Sequence, residues 1–329
     1  MSLAAGGAVA LAAALDRVLS EPPVRLHPVS LLGALVNGLD SRLPDAVATG
    51  LVLAALVPLA FALAAGAVVL VAGPAVATVV GIRSPWPAVA VAGAVLFVCS
   101  SRRMLVDLAG RVVDLTETDP EAARESLRAL AGRDASALSP GRLRSAAVES
   151  AAENLADGLL APLLAFGVAA VLAGATLPAA TVGDGRTVAV LALATGAAAW
   201  VKAVNTLDSM LGYPHRRAGR VPARLDDLVM WVPARIAAVA LAAAGTPTRI
   251  RLTLRRARTA AREPASPNSG WPMATIAAVL NVRLEKPGAY VLFPDRPLPT
   301  AVAAREGVRT VSRAGWLSIG VVVAVVVGT

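Results

Sequence analysis

The sequence has 329 residues, of which 56% are apolar, and its mean hydropathy is +0.66. Only 16% of the residues are charged, against about 25% in ordinary soluble domains. These values exclude an ordinary water-soluble domain and indicate a polytopic protein whose surroundings are the lipid bilayer. The single cysteine, Cys99, excludes intramolecular disulfides and a zinc site built from cysteines. Aromatic residues are only 3% and are not interleaved with basic ones, so we expect no nucleic-acid partner.

Six apolar stretches approach the ~20 residues that a helix needs to cross hydrocarbon. They cover roughly residues 3–19, 47–72, 78–100, 159–182, 187–205 and 313–328. The predicted fold class is therefore all-α, with about six transmembrane helices. We expect a single membrane-embedded domain over residues 1–329, with cytoplasmic insertions at about 101–158 and 247–312.

Arginine supplies almost all of the net charge of +9, since Lys202 and Lys286 are the only lysines. Three segments, 101–158, 206–227 and 249–262, carry eight, four and six arginines. Basic loops favour the cytoplasmic side of a membrane. All three segments can lie there only if the apolar stretch 228–245 is re-entrant or interfacial and does not cross. The sequence thus predicts a multi-pass protein of the cytoplasmic (inner) membrane, with both termini outside.

The segment 101–158 is predicted to be helical and cytoplasmic. Within it, Thr118-Asp-Pro-Glu121 has the pattern of a helix start. Thr118 is the expected N-cap, Pro120 suits the first turn, and Glu121 would complete a capping box.

Three carboxylates, those of Glu149, Glu153 and Asp157, are spaced i, i+4, i+8 and would share one face of a helix. They repel one another unless a cation lies between them, and Mg²⁺ prefers carboxylate and phosphate oxygens. The pattern predicts a Mg²⁺-phosphate site just before an apolar run. The alternative is a solvated helix face whose carboxylates pair with arginines such as Arg142 and Arg144.

A second polar stripe lies at the end of the predicted span 187–205. Lys202, Asn205 and Ser209 follow at i, i+3, i+7, and Asp208 lies beside them. A lysine is a compact point charge suited to a phosphate group. The alternative is that Lys202 only reaches to the membrane interface.

Further polar groups stand beside other apolar stretches. His27 is a candidate general base or phosphate contact. The pair Asp226-Asp227 could cap the following helix or hold a metal. Arg235 lies in apolar sequence and needs an anionic partner. The turn-rich segment 266–272 could offer backbone N–H groups to an anion, and its Trp271 could stack on a flat ligand.

Read in order, these clusters resemble the CobD/CbiB family, the membrane adenosylcobinamide-phosphate synthases of cobalamin biosynthesis. The resemblance covers about residues 15–299. It rests on five motifs, which are Asp16-Arg17 with Glu21-Pro-Pro and Leu26-His27-Pro28, Glu149-Ser through Asp157-Gly158 and Pro162, Lys202-Ala-Val-Asn-Thr-Leu-Asp-Ser-Met210 with Gly212-Tyr213, Ala223-Arg-Leu-Asp-Asp227 with Trp231-Val-Pro-Ala-Arg235, and Ser266-Pro-Asn-Ser-Gly-Trp-Pro272.

The resemblance implies an acid–amine ligase. Such an enzyme joins adenosylcobyric acid to (R)-1-amino-2-propanol O-2-phosphate or threonine phosphate, with ATP as cosubstrate and Mg²⁺ as cofactor. A homo-oligomer or a complex with other corrinoid-pathway enzymes would be in keeping with that role. The active site would face the cytoplasm.

On this interpretation the polar residues take separate roles. Catalysis would fall to Asp208 or His27 as the base, with Lys202 on a phosphate. Substrate and nucleotide would be bound by Arg17, Asn154, Asn205, Arg235, Asn268 and Trp271. Mg²⁺ would be held by Glu149, Glu153 and Asp157, with Asp226 or Asp227.

Two other functions also account for charges beside hydrocarbon. A transporter would use them to line a substrate pathway, but it predicts internal repeats and polar groups near mid-membrane. A membrane phosphoalcohol transferase would use Mg²⁺ without ATP, but it predicts aspartates grouped on one short helix. Here the polar groups cluster at span ends.

Overall fold

A computed structural model of the chain describes residues 2–20, 27–81, 84–131, 135–178, 184–213 and 215–329. Part of the first motif, from Glu21 to Leu26, lies outside them. The described elements are the helices α1 (Ser2–Leu19), α2 (Pro28–Asp40), α3 (Val47–Val80), α4 (Trp86–Cys99), α5 (Arg103–Thr118), α6 (Pro120–Ala131), α7 (Pro140–Asn154), a π-helical turn (Leu155–Leu160), α8 (Ala161–Thr176), α9 (Gly185–Leu211), α10 (Arg220–Val229), α11 (Trp231–Gly245), α12 (Ile250–Ala260), α13 (Gly270–Leu280) and α14 (Ala301–Gly328), and the strands β1 (Leu284–Lys286) and β2 (Tyr290–Leu292).

The predicted all-α polytopic class is confirmed. Within the described ranges, six helical segments are long and apolar enough to cross a membrane. They are Ser2–Leu19, Val47–Val80, Trp86–Thr118, Pro140–Thr176, Gly185–Leu211 and Ala301–Gly328. Each overlaps one predicted span, but several run further, because polar helical residues adjoin the apolar run; Trp86–Thr118, for example, includes the polar helix α5 after α4.

The surface of α3 shows what these helices face. Leu51, Leu63, Val71 and Val79 are each at least 60% exposed, and they lie on more than one side of the helix. A soluble monomer rarely leaves such a large apolar surface in water. Lipid hydrocarbon is the solvent that this surface suits.

Two compact units make up the chain. Unit 1 consists of Met1–Ser101, Ala161–Val229 and Ile319–Thr329, and unit 2 consists of Arg102–Leu160 and Met230–Ser318. Nearly all of the two predicted insertions, 101–158 and 247–312, belongs to unit 2. Their cytoplasmic location and the single-domain description both stay predictions.

Small residues allow the long helices of unit 1 to pack closely. A Cβ atom on Gly66 would lie 3.2 Å from the Ala192 carbonyl oxygen, and one on Gly196 would lie 3.1 Å from that of Ala62. Glycine therefore lets α3 and α9 approach at both positions, as is typical of helix pairs in membranes. At one end of this pair, a buried cluster of Leu32, Val36, Leu53, Ala54, Val57, Ala203, Leu207 and Leu211 forms a core.

Unit 2 contains the one departure from a purely helical chain among the described residues. Strands β1 and β2 form an antiparallel hairpin, with Leu284 opposite Leu292 and Lys286 opposite Tyr290. Gly288 has a φ of 76°, which a glycine adopts without strain in the tight turn. The hairpin packs against α7 and α13.

The start of α6 differs from the prediction by one residue. Thr118 closes α5, so it is not the N-cap. Instead Asp119 Oδ1 accepts hydrogen bonds from the N–H groups of Glu121 and Ala122, at 3.2 and 3.1 Å. The capping box is wrong for the same reason: Glu121 lies in the first turn, where its carboxylate forms an ion pair with Arg124.

The apolar stretch 228–245 is interrupted near its start. Helix α10 ends at Val229 and α11 begins at Trp231, with a bend of 47° between them. Such a pair is either a broken span or a re-entrant loop. The non-crossing arrangement therefore stays a prediction. Asp226 and Asp227 lie in α10, and the N-cap of α11 is Met230, so the predicted capping role of the aspartates is wrong.

Asp45 ties two loops of unit 1 together. Its carboxylate accepts hydrogen bonds from the N–H groups of Ala218, at 2.8 Å, and Arg217, at 3.2 Å. These two bonds, together with the nearby Arg216, hold the pKa of Asp45 below its ordinary value. Arg216 also forms a two-pronged ion pair with Asp40, at 2.5 and 3.1 Å, which raises the pKa of Arg216.

We predict that the stabilisation from the two hydrogen bonds that Asp45 accepts is lost at low pH. A carboxylate whose pKa is depressed by folding stabilises the folded state above its unfolded pKa of about 3.9, and that contribution is lost as pH falls through the folded value. Asp45→Asn should therefore lower the melting temperature at pH 7, and the difference from wild type should shrink below about pH 4. Asp107→Asn, which breaks an exposed pair within α5, is the control and should have little effect at either pH. A difference that stays constant with pH would contradict the assignment.

Candidate functional site

The lysine stripe of unit 1 lies on the last turns of α9, as predicted. Lys202, Asn205 and Asp208 are all half-buried. The hydroxyls of Thr206 and Ser209 donate to the carbonyl oxygens of Lys202 and Asn205, at 2.8 and 2.9 Å. These bonds satisfy the hydroxyls within the helix, so the charged and amide groups form the polar face.

Asp208 is held close to the end of α9. A Cβ atom on Gly212 would lie 1.9 Å from Asp208 Oδ1, so only glycine leaves room for the carboxylate there. Asp227 lies near enough for its charge to act on Asp208. Asp227 is half-buried and Asp226 is buried, both on α10, which packs against α9 and α3. The neighbouring carboxylates of Asp226 and Asp227 provide hard oxygen donors, which suit a Mg²⁺ ion that takes its other ligands from phosphate and water.

His27 has a structural task in unit 1. It is the N-cap of α2, where its Nδ1 accepts a hydrogen bond from the N–H of Val29 at 3.2 Å. The ring is buried. This nitrogen carries no proton and is engaged by the backbone, so a role as general base competes with capping. Near it in sequence, Asp16 is buried and Arg17 is exposed.

Glu149 of unit 2 is fully buried and surrounded by hydroxyl donors. Ser145 Oγ donates to its Oε1 at 2.6 Å, and the Tyr290 hydroxyl donates to its Oε2 at 2.8 Å. Ser145 Oγ also accepts from the N–H of Glu285 at 2.8 Å, and Arg142 pairs with the Glu285 carboxylate at 2.6 Å. Glu149 therefore fastens the hairpin to α7, and this use of its oxygens competes with the predicted metal role.

The other two carboxylates of the predicted stripe are half-buried. Glu153 lies on α7, whereas Asp157 lies in the π-helical turn 155–160. The i, i+4, i+8 spacing assumed a regular α-helix, and the wider turn changes the direction of Asp157. Asn154 donates from Nδ2 to the Ser150 carbonyl oxygen at 3.0 Å and is half-buried. Turns of this kind are frequent at functional sites.

Arg235 of unit 2 is fixed from several sides. Its guanidinium carbon is 4.6 Å from the centre of the Trp231 ring and 5.4 Å from that of Trp271. Its N–H groups donate to Asn268 Oδ1, to the Trp231 carbonyl oxygen at 3.0 Å and to the Pro267 carbonyl oxygen at 3.2 Å. Among the described residues these partners include no carboxylate, so a planar cation is pre-oriented beside two aromatic rings.

The segment 266–272 is shaped to provide these partners. Asn268 is buried, its N–H donates to Ser266 Oγ at 3.2 Å, and its carbonyl oxygen accepts from the N–H of Trp271 at 3.0 Å. A Cβ atom on Gly270 would lie 2.1 Å from the Ala261 carbonyl oxygen, so glycine is required for the segment to close against the end of α12. Asn268 thus orients Arg235. The sequence predicted that Asn268 binds substrate and did not predict this contact.

Within the part of the chain that the structure describes, no group of three or more His, Cys, Asp or Glu side chains is arranged to hold a metal ion. The predicted acidic residues therefore offer carboxylates singly or in pairs. The metal assignments of Glu149, Glu153, Asp157, Asp226 and Asp227 stay predictions.

Sequence reasoning missed two features of unit 2. The first is the Tyr290–Glu149 contact, whose signal is that Tyr290 is one of only two tyrosines and follows a glycine turn. The second is Arg102, which is buried, lies 4.3 Å from the centre of the Trp316 ring and donates to Ser312 Oγ at 3.0 Å. An arginine directly after an apolar span was the available signal.

These helices and polar clusters define a multi-pass membrane protein of the all-α class. The family described as CobD/Cbib protein matches residues 9–317. The chain therefore belongs to the CobD/CbiB family of cobalamin biosynthesis proteins.

Individual relatives agree over most of their length. A probable cobalamin biosynthesis protein CobD of Methanothrix thermoacetophila is 32% identical over 309 residues, which cover 92% of this chain and 91% of the relative. A probable CobD of Methanothermobacter thermautotrophicus is 35% identical, with 86% and 84% covered. CobD of Klebsiella pneumoniae is 32% identical, with 84% and 81% covered. No solved structure gives a significant match.

Two substitutions separate the roles of His27. Asparagine is a strong N-cap but has no basic ring nitrogen, whereas the alanine side chain can neither cap the helix nor accept a proton. If His27 is only a cap, His27→Asn should keep full function and His27→Ala should lose about 1 kcal/mol of stability. A loss of activity in His27→Asn at unchanged melting temperature would instead assign His27 to catalysis.

Removing the Tyr290 hydroxyl tests whether Glu149 is structural. Tyr290→Phe leaves a buried carboxylate oxygen without this donor and should destabilise the protein by about 1–3 kcal/mol, because the desolvated acceptor is no longer satisfied. The measurement is thermal unfolding of the purified protein, with Tyr213→Phe at the other, exposed tyrosine as the matched control. Equal melting temperatures for the two variants would contradict the structural role.

Proposed function

We propose that this protein joins the free propionate carboxylate of adenosylcobyric acid to the amine of (R)-1-amino-2-propanol O-2-phosphate, or of threonine phosphate, at the expense of ATP. With the first amine the product is adenosylcobinamide phosphate. The observation that carries the proposal is membership of the family across residues 9–317, a range that contains all the polar motifs. Relatives that are named cobalamin biosynthesis proteins favour an enzyme over a transporter.

The chemistry needs an activated carboxylate. A carboxylate oxygen attacks the γ-phosphorus of ATP, ADP leaves, and an acyl phosphate forms. The neutral amine then attacks the acyl carbon, phosphate leaves, and the amine proton passes to a base. Both steps place charge on phosphoryl oxygens, which cations must stabilise.

In unit 1 we assign Lys202 and Arg17 to phosphate groups and Asn205 to substrate orientation. Asp208 is a better candidate for the base than His27, because His27 Nδ1 caps α2 whereas no capping contact engages Asp208. Gly212 leaves room for the Asp208 carboxylate at the end of α9.

In unit 2 we assign Arg235 to an anionic group, with Asn268 holding it and Trp271 beside it as a surface for a flat ligand. Asn154 would orient substrate. In this unit Mg²⁺ would be held by Glu153 and Asp157, and Glu149 would support this pair from within the core. In unit 1 the candidate carboxylates for Mg²⁺ are Asp226 and Asp227. When bound, the ion neutralises phosphate charge. The protein would lie in the cytoplasmic membrane, with its arginine-rich segments inside.

The experiment uses the purified full-length protein in detergent with adenosylcobyric acid, Mg-ATP and each amine in turn. We expect the amide product and ADP by mass spectrometry, and no product without ATP. Lys202→Met should reduce turnover by about 10²–10³-fold, because a fixed cation is removed from a phosphoryl group.

Lys286→Met is the matched control, because Lys286 is the only other lysine and is exposed on the hairpin. It should retain the wild-type rate. Absence of amide with either amine would refute the proposed reaction. Equal rates for the two lysine variants would remove Lys202 from the site without refuting the reaction.

A further inference from the structure

Helix α12 presents a basic face to its surroundings. Arg251, Arg255 and Arg258 follow at i, i+4 and i+7, so they lie along one side of the helix, and Arg262 follows in the turn after it; all four are exposed. On the opposite side, Thr253 and Ala257 are buried, and the helix packs against α13 and α11. The arginines are therefore held on an ordered helix.

In the part of the chain that the structure describes, these arginines form no ion pairs, and Glu263, the carboxylate next to Arg262 in sequence, is exposed. Over the described residues, no carboxylate lies within ion-pair distance of any arginine from 249 to 262. Other arginines of unit 2 differ, since Arg305 pairs with Asp114 and Arg313 pairs with Glu306. The α12 face therefore keeps an uncompensated positive charge.

The helix that precedes α12 shows which environment this charge meets. In α11, Val232, Ile236 and Val239 form an exposed apolar stripe at i, i+4, i+7. Four residues, 246–249, separate the end of α11 from the start of the basic helix. Thr246 Oγ1 and Thr253 Oγ1, 2.9 Å apart, share a hydrogen bond that links this connection to α12. An apolar stripe suits hydrocarbon, and a basic face directly after it suits the headgroup layer.

We propose that the arginine face of α12 binds the headgroups of anionic phospholipids. Guanidinium groups pair well with phosphodiester oxygens. Dissolved phosphate or nucleotide could use the charge of this face but not the adjoining apolar stripe, whereas a lipid uses both. The exposed Leu252, beside Arg251, adds apolar contact at the same level. This inference does not depend on the reaction proposed above.

The test measures lipid binding to the full-length protein in a neutral detergent by native mass spectrometry. Phosphatidylglycerol should bind more tightly than phosphatidylcholine, and added salt should weaken the difference. Each basic residue near an anionic surface contributes about fivefold to affinity, so the triple variant R251Q/R255Q/R258Q should bind phosphatidylglycerol on the order of 100-fold more weakly.

The matched control removes three exposed arginines elsewhere in unit 2, as R111Q/R128Q/R309Q. It should bind phosphatidylglycerol nearly as wild type does. Equal losses of phosphatidylglycerol affinity in the two triple variants would show that only the net charge of the protein matters and would overturn the proposal. Displacement of phosphatidylglycerol by millimolar inorganic phosphate or ATP would also overturn it, by showing a site for soluble anions.

A second measurement leaves the arginines intact. Cys99 is buried, so a Leu252→Cys variant can be labelled selectively with a polarity-sensitive fluorophore and placed in nanodiscs. The emission should shift to the blue when phosphatidylglycerol replaces phosphatidylcholine. An unchanged spectrum in both lipids would show that α12 does not contact the headgroup layer.

Discussion

Polar groups beside hydrocarbon must have their hydrogen bonds and charges satisfied by the protein, and much of this structure follows from that constraint. Glu149 is buried among hydroxyl donors, and Arg235 lies near two indole rings and donates to carbonyl and amide oxygens. Arg102 is covered by Trp316 and donates to Ser312. Each arrangement includes at least one partner from a distant part of the chain, so the polar contacts form only when the helices that carry them are packed together.

The two units achieve this in different ways. In unit 1 Lys202, Asn205 and Asp208 lie on the long helix α9, and Gly212 leaves room for the Asp208 carboxylate. In unit 2 the polar residues are held by long-range bonds among short helices and a hairpin, such as the Arg142–Glu285 ion pair. A catalyst that handles several phosphate and carboxylate groups benefits from both, since fixed side chains lower the cost of orienting reactants.

The helices were predictable because the length of an apolar run is a strong local signal, and the positions of Lys202, Asn205 and Asp208 followed from the helical period. The hairpin was not predictable in this way, because its strands have only three residues each and depend on α7 for support. Likewise, the spacing of Glu149 and Tyr290, 141 positions apart, carries no local sign of contact. The cap of α6 was misplaced because both Thr118 and Asp119 suit that position, and tertiary context selects between them.

The π-helical turn at 155–160 has a consequence for how the chain can change. A turn of this type holds one residue more than an α-helical turn, which rotates everything beyond it by about 100° about the helix axis. Asp157, which lies in this turn, therefore points in a different direction from the one that a regular continuation of α7 beyond Glu153 would give it. Deletion of a single residue here would return the turn to regular α-helical spacing and would alter the direction of Asp157, whereas most substitutions would leave that direction unchanged.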